Sequence, residues 1–206
     1  MDSREAETVI ICPTLSVIDA AQTIREARNT AGVPAAVILA SDYERRGAII
    51  VGNVMIKAAL DWGAKHIAYL NDDTSGFQQG WLKRLIEAVD SDPSYGVAVP
   101  GCPCRTKPQN TGAPGMAPGI VELTKPSAWV VAVIKAQMFK ELGLLNTDLW
   151  HYADDSDFEM RMFEAGYKSV WVQDVYVHHE RLPQEQTRNP WWAHDKAVFK
   201  KRWGRV

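Results

Sequence analysis

Short apolar segments alternate with longer segments of helical periodicity along the first part of the chain. Four apolar runs have the length of a strand: residues 8–13, 35–40, 66–70 and 97–100. Between them the apolar positions recur at helical spacing, and Gly63 and Pro93 mark helix ends. This alternation is typical of a parallel sheet with helices on both faces, in which ligands bind beyond the carboxyl ends of the strands. The sequence therefore predicts an α/β fold with a mixed, mainly parallel sheet.

The second part of the chain contains further strands and helices after an interruption. Apolar runs predict strands at 129–134 and 170–178, and helical spacing predicts helices at 136–142 and 155–165. Residues 101–119 carry four Gly and four Pro, a length and composition typical of a mobile active-site loop. Because no repeat or linker divides the 206 residues, we expect a single domain over 1–206.

The charge balance argues against a nucleic-acid partner. The chain has 23 Lys and Arg and 25 Asp and Glu, a formal net charge of -2, so no basic field attracts a duplex. No run approaches the roughly eighteen apolar residues of a transmembrane span, and residues 1–7 lack the features of a signal peptide. We expect a soluble, cytoplasmic protein. Cys12, Cys102 and Cys104 match neither a disulfide framework nor a zinc signature, so we expect reduced thiols.

A polar cluster, Asn71-Asp72-Asp73, follows the third predicted strand directly. Carboxylates at a strand end suit a hard cation such as Mg²⁺ or Mn²⁺ that must also hold diphosphate oxygens. The alternative is an ordinary polar turn, since Asn and Asp are common turn residues.

A second acidic cluster begins the predicted helix at 155–165 and follows three aromatic or imidazole side chains. Asp154 and Asp155 lie in this cluster. Crowded carboxylates in a cleft raise one another's pKa, which suits a base that deprotonates a sugar hydroxyl. The alternative is helix capping, because acids at a helix start are stabilised by the dipole.

The last predicted strand ends in His178 and His179. A neutral imidazole is a competent ligand for Mn²⁺, although a histidine in this position is more often a structural hydrogen-bonding group. Because side chains alternate along a strand, only one of the two points at any given site.

These features resemble the family 2 glycosyltransferases, whose sequences show them in the same order. The order runs from a first strand ending near Thr14, through the Asn-Asp-Asp strand end and the acidic helix start, to a strand ending in His. The segments 129–134, 139–144 and 165–172 are also similar to that family, and so is the ending 199–204. The resemblance covers roughly residues 8–179.

The resemblance implies a GT-A fold, which is Rossmann-like, with a nucleotide-binding half at about 8–100 and an acceptor half at about 120–180. It implies an inverting, metal-dependent hexosyl or deoxyhexosyl transfer from a nucleotide-diphosphate sugar, of UDP or dTDP type, to a glycan, lipid-linked or other hydroxyl acceptor. It assigns sites as follows: the metal to Asp73, His178 and His179; the donor to Thr14, Asp42, Asn71 and Asp72; and catalysis to Asp155 and Asp154, with Asp155 as the base. Asn71 departs from the family pattern, because an amide replaces an acid there.

Two alternatives to this activity stay open. A degenerate member of the fold could bind a sugar nucleotide or glycan without turnover, as Asn71 suggests. A sugar-nucleotide pyrophosphorylase is less favoured, because residues 14–16 lack the basic glycine-rich loop that this reaction normally requires.

The chain ends in an aromatic and basic helix predicted at 190–206. Trp192, Phe199 and Trp203 share a helical arc, which indicates a face that packs on the core. Peripheral membrane binding or a homo-oligomer contact is the alternative for this helix.

Overall fold

The computed structural model describes residues 7–103, 109, 112–179 and 190–204. Residues 104–108 and 110–111 of the predicted loop therefore lie outside the described residues, as do 205–206 of the predicted terminal helix. The strands are β1 (Thr8–Thr14), β2 (Ala36–Ser41), β3 (His66–Leu70), β4 (Thr74–Ser75), β5 (Tyr95–Gly101), β6 (Ile120–Leu123), β7 (Val131–Lys135), β8 (Lys168–Tyr176) and β9 (His178–His179). The helices are α1 (Val17–Thr30), α2 (Ala48–Trp62), α3 (Trp81–Asp90), α4 (Ala136–Leu142), α5 (Asp154–Glu164) and α6 (Pro190–Trp203).

Seven strands form one sheet in the order β2-β1-β3-β7-β5-β8-β6. β2, β1 and β3 pair in parallel, and so do β5 and β8. β7 runs antiparallel between β3 and β5, and β6 runs antiparallel at the edge beside β8. The prediction of a mixed, mainly parallel sheet is confirmed.

Each face of the sheet is covered by helices, because the strands are apolar on both sides. Alternating residues of β1 enter opposite cores: Ile11 belongs to the core that contains residues of α2, α4 and α5, whereas Ile10 belongs to the core that contains residues of α1 and α3. Each of these side chains is fully buried, which contributes about 1.5–3 kcal/mol per residue. The two layers of helices leave the carboxyl ends of β1, β2 and β3 together at one edge of the sheet.

Most predicted elements have bounds close to those observed, and 66–70 and 136–142 match β3 and α4. The sequence did not reveal β4, β6 or β9, which have two to four residues each and are too short for periodicity to show. One prediction about the thiols is wrong: Cys12 is a free, buried thiol, but Cys102 is disulfide-bonded. Cys104 lies outside the described residues.

The start of α2 lies tightly against the chain near Trp150. Gly47, which precedes α2, has a φ of 108°, and a Cβ built there would lie 2.4 Å from the Trp150 carbonyl oxygen. Only glycine satisfies both this backbone conformation and this close approach. The contact fixes the segment that leads into α5.

We predict that Gly47→Ala destabilises the protein by about 2 kcal/mol or more, since it adds a clash to a left-handed backbone strain. Gly63→Ala is the matched control, because Gly63 has a φ of 90° but nothing lies within 4 Å of its added Cβ. It should cost only about 1 kcal/mol. Urea unfolding of both variants measures the difference, and equal losses would show that the Trp150 contact is not constraining.

Candidate functional site

The first acidic cluster lies at the carboxyl edge of β3. The Asn71 backbone N–H donates to the Val130 carbonyl oxygen at 3.0 Å, which continues the pairing with the start of β7. The Thr14 hydroxyl, at the end of β1, donates to Asp72 Oδ2 at 2.5 Å. Thr14 and Asp72 therefore lie together, as expected for two residues predicted to bind the same ligand.

Asp73 approaches a histidine through the two-stranded sheet of β4 and β9. Thr74 pairs with His179 in this sheet, and Ser75 pairs with His178. His179 Nε2 lies 3.2 Å from Asp73 Oδ1 and 3.5 Å from Asn71 Nδ2. His178 is exposed, and its ring instead contacts the Tyr176 ring at a centroid distance of 5.3 Å. Of the two predicted histidine ligands, the structure brings His179 to Asp73 and turns His178 away.

The donor atoms near Asp73 fit a divalent cation that keeps several open positions. Two adjacent ligands at about 2.2 Å from one octahedral cation lie about 3 Å apart, close to the separation of Asp73 Oδ1 and His179 Nε2. The Asn71 amide oxygen could add a third donor once its side chain is flipped. Within the described ranges no group of three or more His, Cys, Asp or Glu side chains could hold a metal. A cation here would therefore depend on phosphate oxygens or water for its remaining ligands.

Asp42 lies at the carboxyl end of β2 but is engaged with its own loop. Its Oδ1 accepts the Arg46 N–H at 2.7 Å, and its Oδ2 accepts the Gly47 N–H at 2.8 Å. The side chain is buried, and its carboxylate closes the turn that starts α2. The structure thus gives Asp42 a role in the fold, beside the donor contact predicted for it.

The second acidic cluster forms the first turn of α5. Asp155 Oδ2 accepts the Trp129 backbone N–H at 3.3 Å, and Asp155 Oδ1 accepts the Ser156 N–H at 2.5 Å. Ala153, just before the helix, has a φ of 62°, an uncommon conformation for a residue other than glycine. The helix start therefore holds two adjacent carboxylates, Asp154 and Asp155, in a fixed turn.

The charges of both clusters act on one buried group, the phenol of Tyr69. Burial, followed by the negative charge of Asp155, raises the pKa of Asp154 to about 7. Burial also raises the pKa of Tyr69, and the charges of Asp154, Asp155 and Asp72 add to this effect. Tyr69 thus lies between the clusters, and Asp154 changes its charge near neutral pH.

A dipeptide joins the two clusters. The Trp129 N–H donates to Asp155, and the carbonyl of the next residue, Val130, accepts from Asn71. The indole of Trp129 also packs against Tyr69, with ring centroids 6.0 Å apart. The structure therefore places the predicted metal-binding and catalytic acids on either side of residues 129–130.

Two buried carboxylates that the sequence did not single out hold this arrangement. Glu159 accepts the Ser127 N–H at 2.9 Å, the Ser127 hydroxyl, and the Trp129 Nε1–H at 2.7 Å. Asp195 of α6 accepts three consecutive backbone N–H groups from residues 150–152, at 2.8–2.9 Å. Both side chains are fully buried. The only sequence signal for Glu159 was its position four residues after Asp155, on the same helix face.

Comparison with solved structures relates this geometry to known proteins. No protein-family model matches the chain, and no curated protein matches it. The crystal structure of GalNAc-T7 with UDP, GalNAc and Mn²⁺ superposes with a TM-score of 0.68 at 13% identity, over 95% of this chain and 48% of that one. The catalytic domain of Drosophila β1,4-galactosyltransferase 7 in complex with xylobiose gives 0.61 at 14% identity, over 86% and 72%. The chain has the GT-A fold.

The predicted GT-A fold is thereby confirmed, and membership of family 2 stays a prediction. The chain spans about half the length of the GalNAc-T7 chain. A third structure, A197 from STIV, has a TM-score of 0.51 at 10% identity, over 85% of this chain and 86% of that one. Among the helices of the described residues, none has the length and apolar character needed to cross a bilayer.

We predict that Asp154→Asn becomes progressively stabilising relative to the parent as pH rises from 5 to 7. The folded-state pKa is raised above the unfolded value, so the parent loses stability from about pH 4 up to about pH 7, and the amide does not. The difference in Tm between variant and parent should grow by about 2 °C or more between pH 5 and 8. Asp148→Asn, which changes an exposed acid, is the control, and its difference in Tm from the parent should stay constant over the same pH range.

Proposed function

We propose that the protein transfers a sugar from a nucleotide-diphosphate donor to an acceptor hydroxyl, with inversion at the anomeric carbon. The observation that carries this proposal is the bridge of residues 129–130, which sets the Asp73 cluster and the Asp155 cluster side by side at the edge of the sheet. The solved neighbours support sugar transfer in general, since the GalNAc-T7 structure contains UDP, GalNAc and Mn²⁺, and the galactosyltransferase structure contains xylobiose. Inversion rests on the sequence resemblance.

In this proposal the Asp73 cluster holds the donor through a cation. Asp73 and His179 would hold Mn²⁺ or Mg²⁺, and the imidazole would favour Mn²⁺. The bound ion would neutralise the charge that develops on the leaving diphosphate. Thr14 and Asp72, which are joined by a hydrogen bond, contact the nucleoside of a UDP or dTDP donor.

Asp155 is the proposed base. The Trp129 N–H and Ser156 orient its carboxylate, which accepts the proton of the acceptor hydroxyl as the oxygen attacks the anomeric carbon. The bond between the anomeric carbon and the diphosphate oxygen breaks, and its electron pair leaves with the diphosphate. Asp154 contributes a neighbouring negative charge as it ionises near neutral pH.

The finer assignments rest on the sequence resemblance. They comprise family 2 membership, a hexosyl or deoxyhexosyl donor, a cytoplasmic location, and one domain with a donor half at about 8–100 and an acceptor half at about 120–180. Asn71 favours one second candidate, a protein that binds a sugar nucleotide without turnover, because an amide holds a cation less strongly than a carboxylate does. Chromatographic detection of the transferred product separates the transferase from the binding protein.

We predict that Asp73→Asn removes the Mn²⁺-dependent part of the stabilisation by UDP. At a hundredfold excess over Kd, UDP with Mn²⁺ should stabilise the parent by about 2.7 kcal/mol and raise its Tm by about 5 °C or more. Asp61→Asn, which changes an exposed acid on α2, should respond like the parent. An unchanged Mn²⁺ response in Asp73→Asn would refute the metal assignment.

We predict that Asp155→Asn lowers sugar transfer about a hundredfold or more while UDP affinity stays near that of the parent, because the amide cannot accept a proton. The Asn side-chain oxygen can still accept from the Trp129 or Ser156 N–H group, so stability should change little. Asp154→Asn should keep more activity, because Asp155 stays available as the base. Product release by parent and variants is measured by chromatography against pH, and equal loss in both variants would assign the base to the pair.

A further inference from the structure

Two segments of the chain bring six aromatic or imidazole rings together beside the second acidic cluster. One segment directly precedes Asp154, and the other lies in the first half of α6. We call this set the aromatic platform: Trp150, His151, Tyr152, Trp191, Trp192 and His194.

The rings of the aromatic platform pair across the two segments. Trp150 stacks on His194 with centroids 3.7 Å apart and planes 9° from parallel. Tyr152 meets Trp192 edge-on at 5.3 Å. The rings are only partly buried, and Trp150 is 45% exposed. They therefore present apolar faces at the surface instead of completing a core.

The backbone beneath the platform is held in place independently of the rings. Asp195 binds the three N–H groups of residues 150–152, and Gly47 contacts the Trp150 carbonyl. Farther along α6, the Trp203 indole donates to Asp157 at 3.0 Å, and Val198 packs against the core. Because these contacts dock α6, attachment of the helix does not account for the partly exposed rings.

We propose that the aromatic platform is the acceptor site and binds a pyranose ring of a glycan, a step that rests on the proposed function. A flat aromatic face packs against the C–H groups of a sugar ring, while indole N–H, phenol and imidazole groups hydrogen-bond to its hydroxyls. Residues 150–152 of the platform come just before α5, and Asp155 lies in the first turn of that helix. A sugar held on the platform therefore brings a hydroxyl toward the proposed base.

The charges around the platform favour a neutral, hydroxyl-rich ligand over a membrane. Its neighbours Asp154, Asp155 and Asp195 are acidic, which disfavours anionic lipid. One basic residue of α6, Lys196, lies beside the platform, and the other three, Lys200, Lys201 and Arg202, lie about 12 Å farther along the helix. Arg202 also pairs with Asp157 at 3.3 Å.

The test uses the full chain loaded with UDP and Mn²⁺, titrated with lactose, cellobiose, xylobiose and chitobiose. Binding is followed by the indole N–H signals of tryptophan-labelled protein, assigned with single Trp→Phe variants. We expect at least one disaccharide to shift the Trp150 and Trp192 signals but not that of buried Trp81. Trp150→Ala and Trp192→Ala should each weaken that binding tenfold or more. Trp62→Ala, an exposed tryptophan on α2, should not.

The signals of the parent test the proposal even if an alanine variant fails to fold. No disaccharide binding by the parent, or shifts confined to tryptophans outside the platform, would overturn it. Equal disaccharide affinity in all folded variants would also overturn the proposal. Binding to phosphatidylglycerol vesicles that depends on Trp150 would overturn it as well. UDP and Mn²⁺ binding is measured on the same samples by calorimetry. If UDP and Mn²⁺ still bind but no disaccharide does, the platform is not the acceptor site and the proposed donor site stands. If a disaccharide binds but UDP and Mn²⁺ do not, only the proposed donor site is rejected.

Discussion

The reversed direction of β7 is the constraint on which the site depends. Because β7 runs antiparallel to β3, its first residues lie where β3 ends, with Leu70 opposite Val131. This places residues 129–130 at the functional edge, where one carbonyl binds Asn71 and one N–H binds Asp155. In a parallel strand these residues would lie at the opposite edge of the sheet, and the two acidic clusters would lose their common support.

Buried carboxylates hold the loops that carry the functional groups. Glu159 binds residues 127–129, and Asp195 binds residues 150–152. Removing one partner of such a buried charge leaves the other groups unsatisfied and typically costs several kcal/mol. Their observed contacts are with backbone N–H groups and neighbouring side chains, so they position the loops that carry the proposed site residues.

The candidate site was partly predictable from residues at strand and helix ends. Asp73 was predicted to bind a cation because ligands bind beyond the carboxyl ends of the strands, and Asp155 was predicted to be the base from an acidic helix start and the family resemblance. The choice between His178 and His179 needed the pairing of β9 with β4, which fixes the side facing Asp73. Asp42 was assigned to the donor by the family resemblance alone, and in the structure its loop folds back so that its carboxylate accepts two backbone N–H groups.

The sequence by itself determined the alternation of strands and helices, their approximate bounds and the positions of the acids, because periodicity and turn residues act over a few neighbouring positions. Only the tertiary structure decided the direction of β7, the inward role of Glu159 and Asp195, and the pairing of Trp150 with His194. These depend on contacts between segments far apart in the chain, whose geometry is set by packing of the whole sheet and its helices.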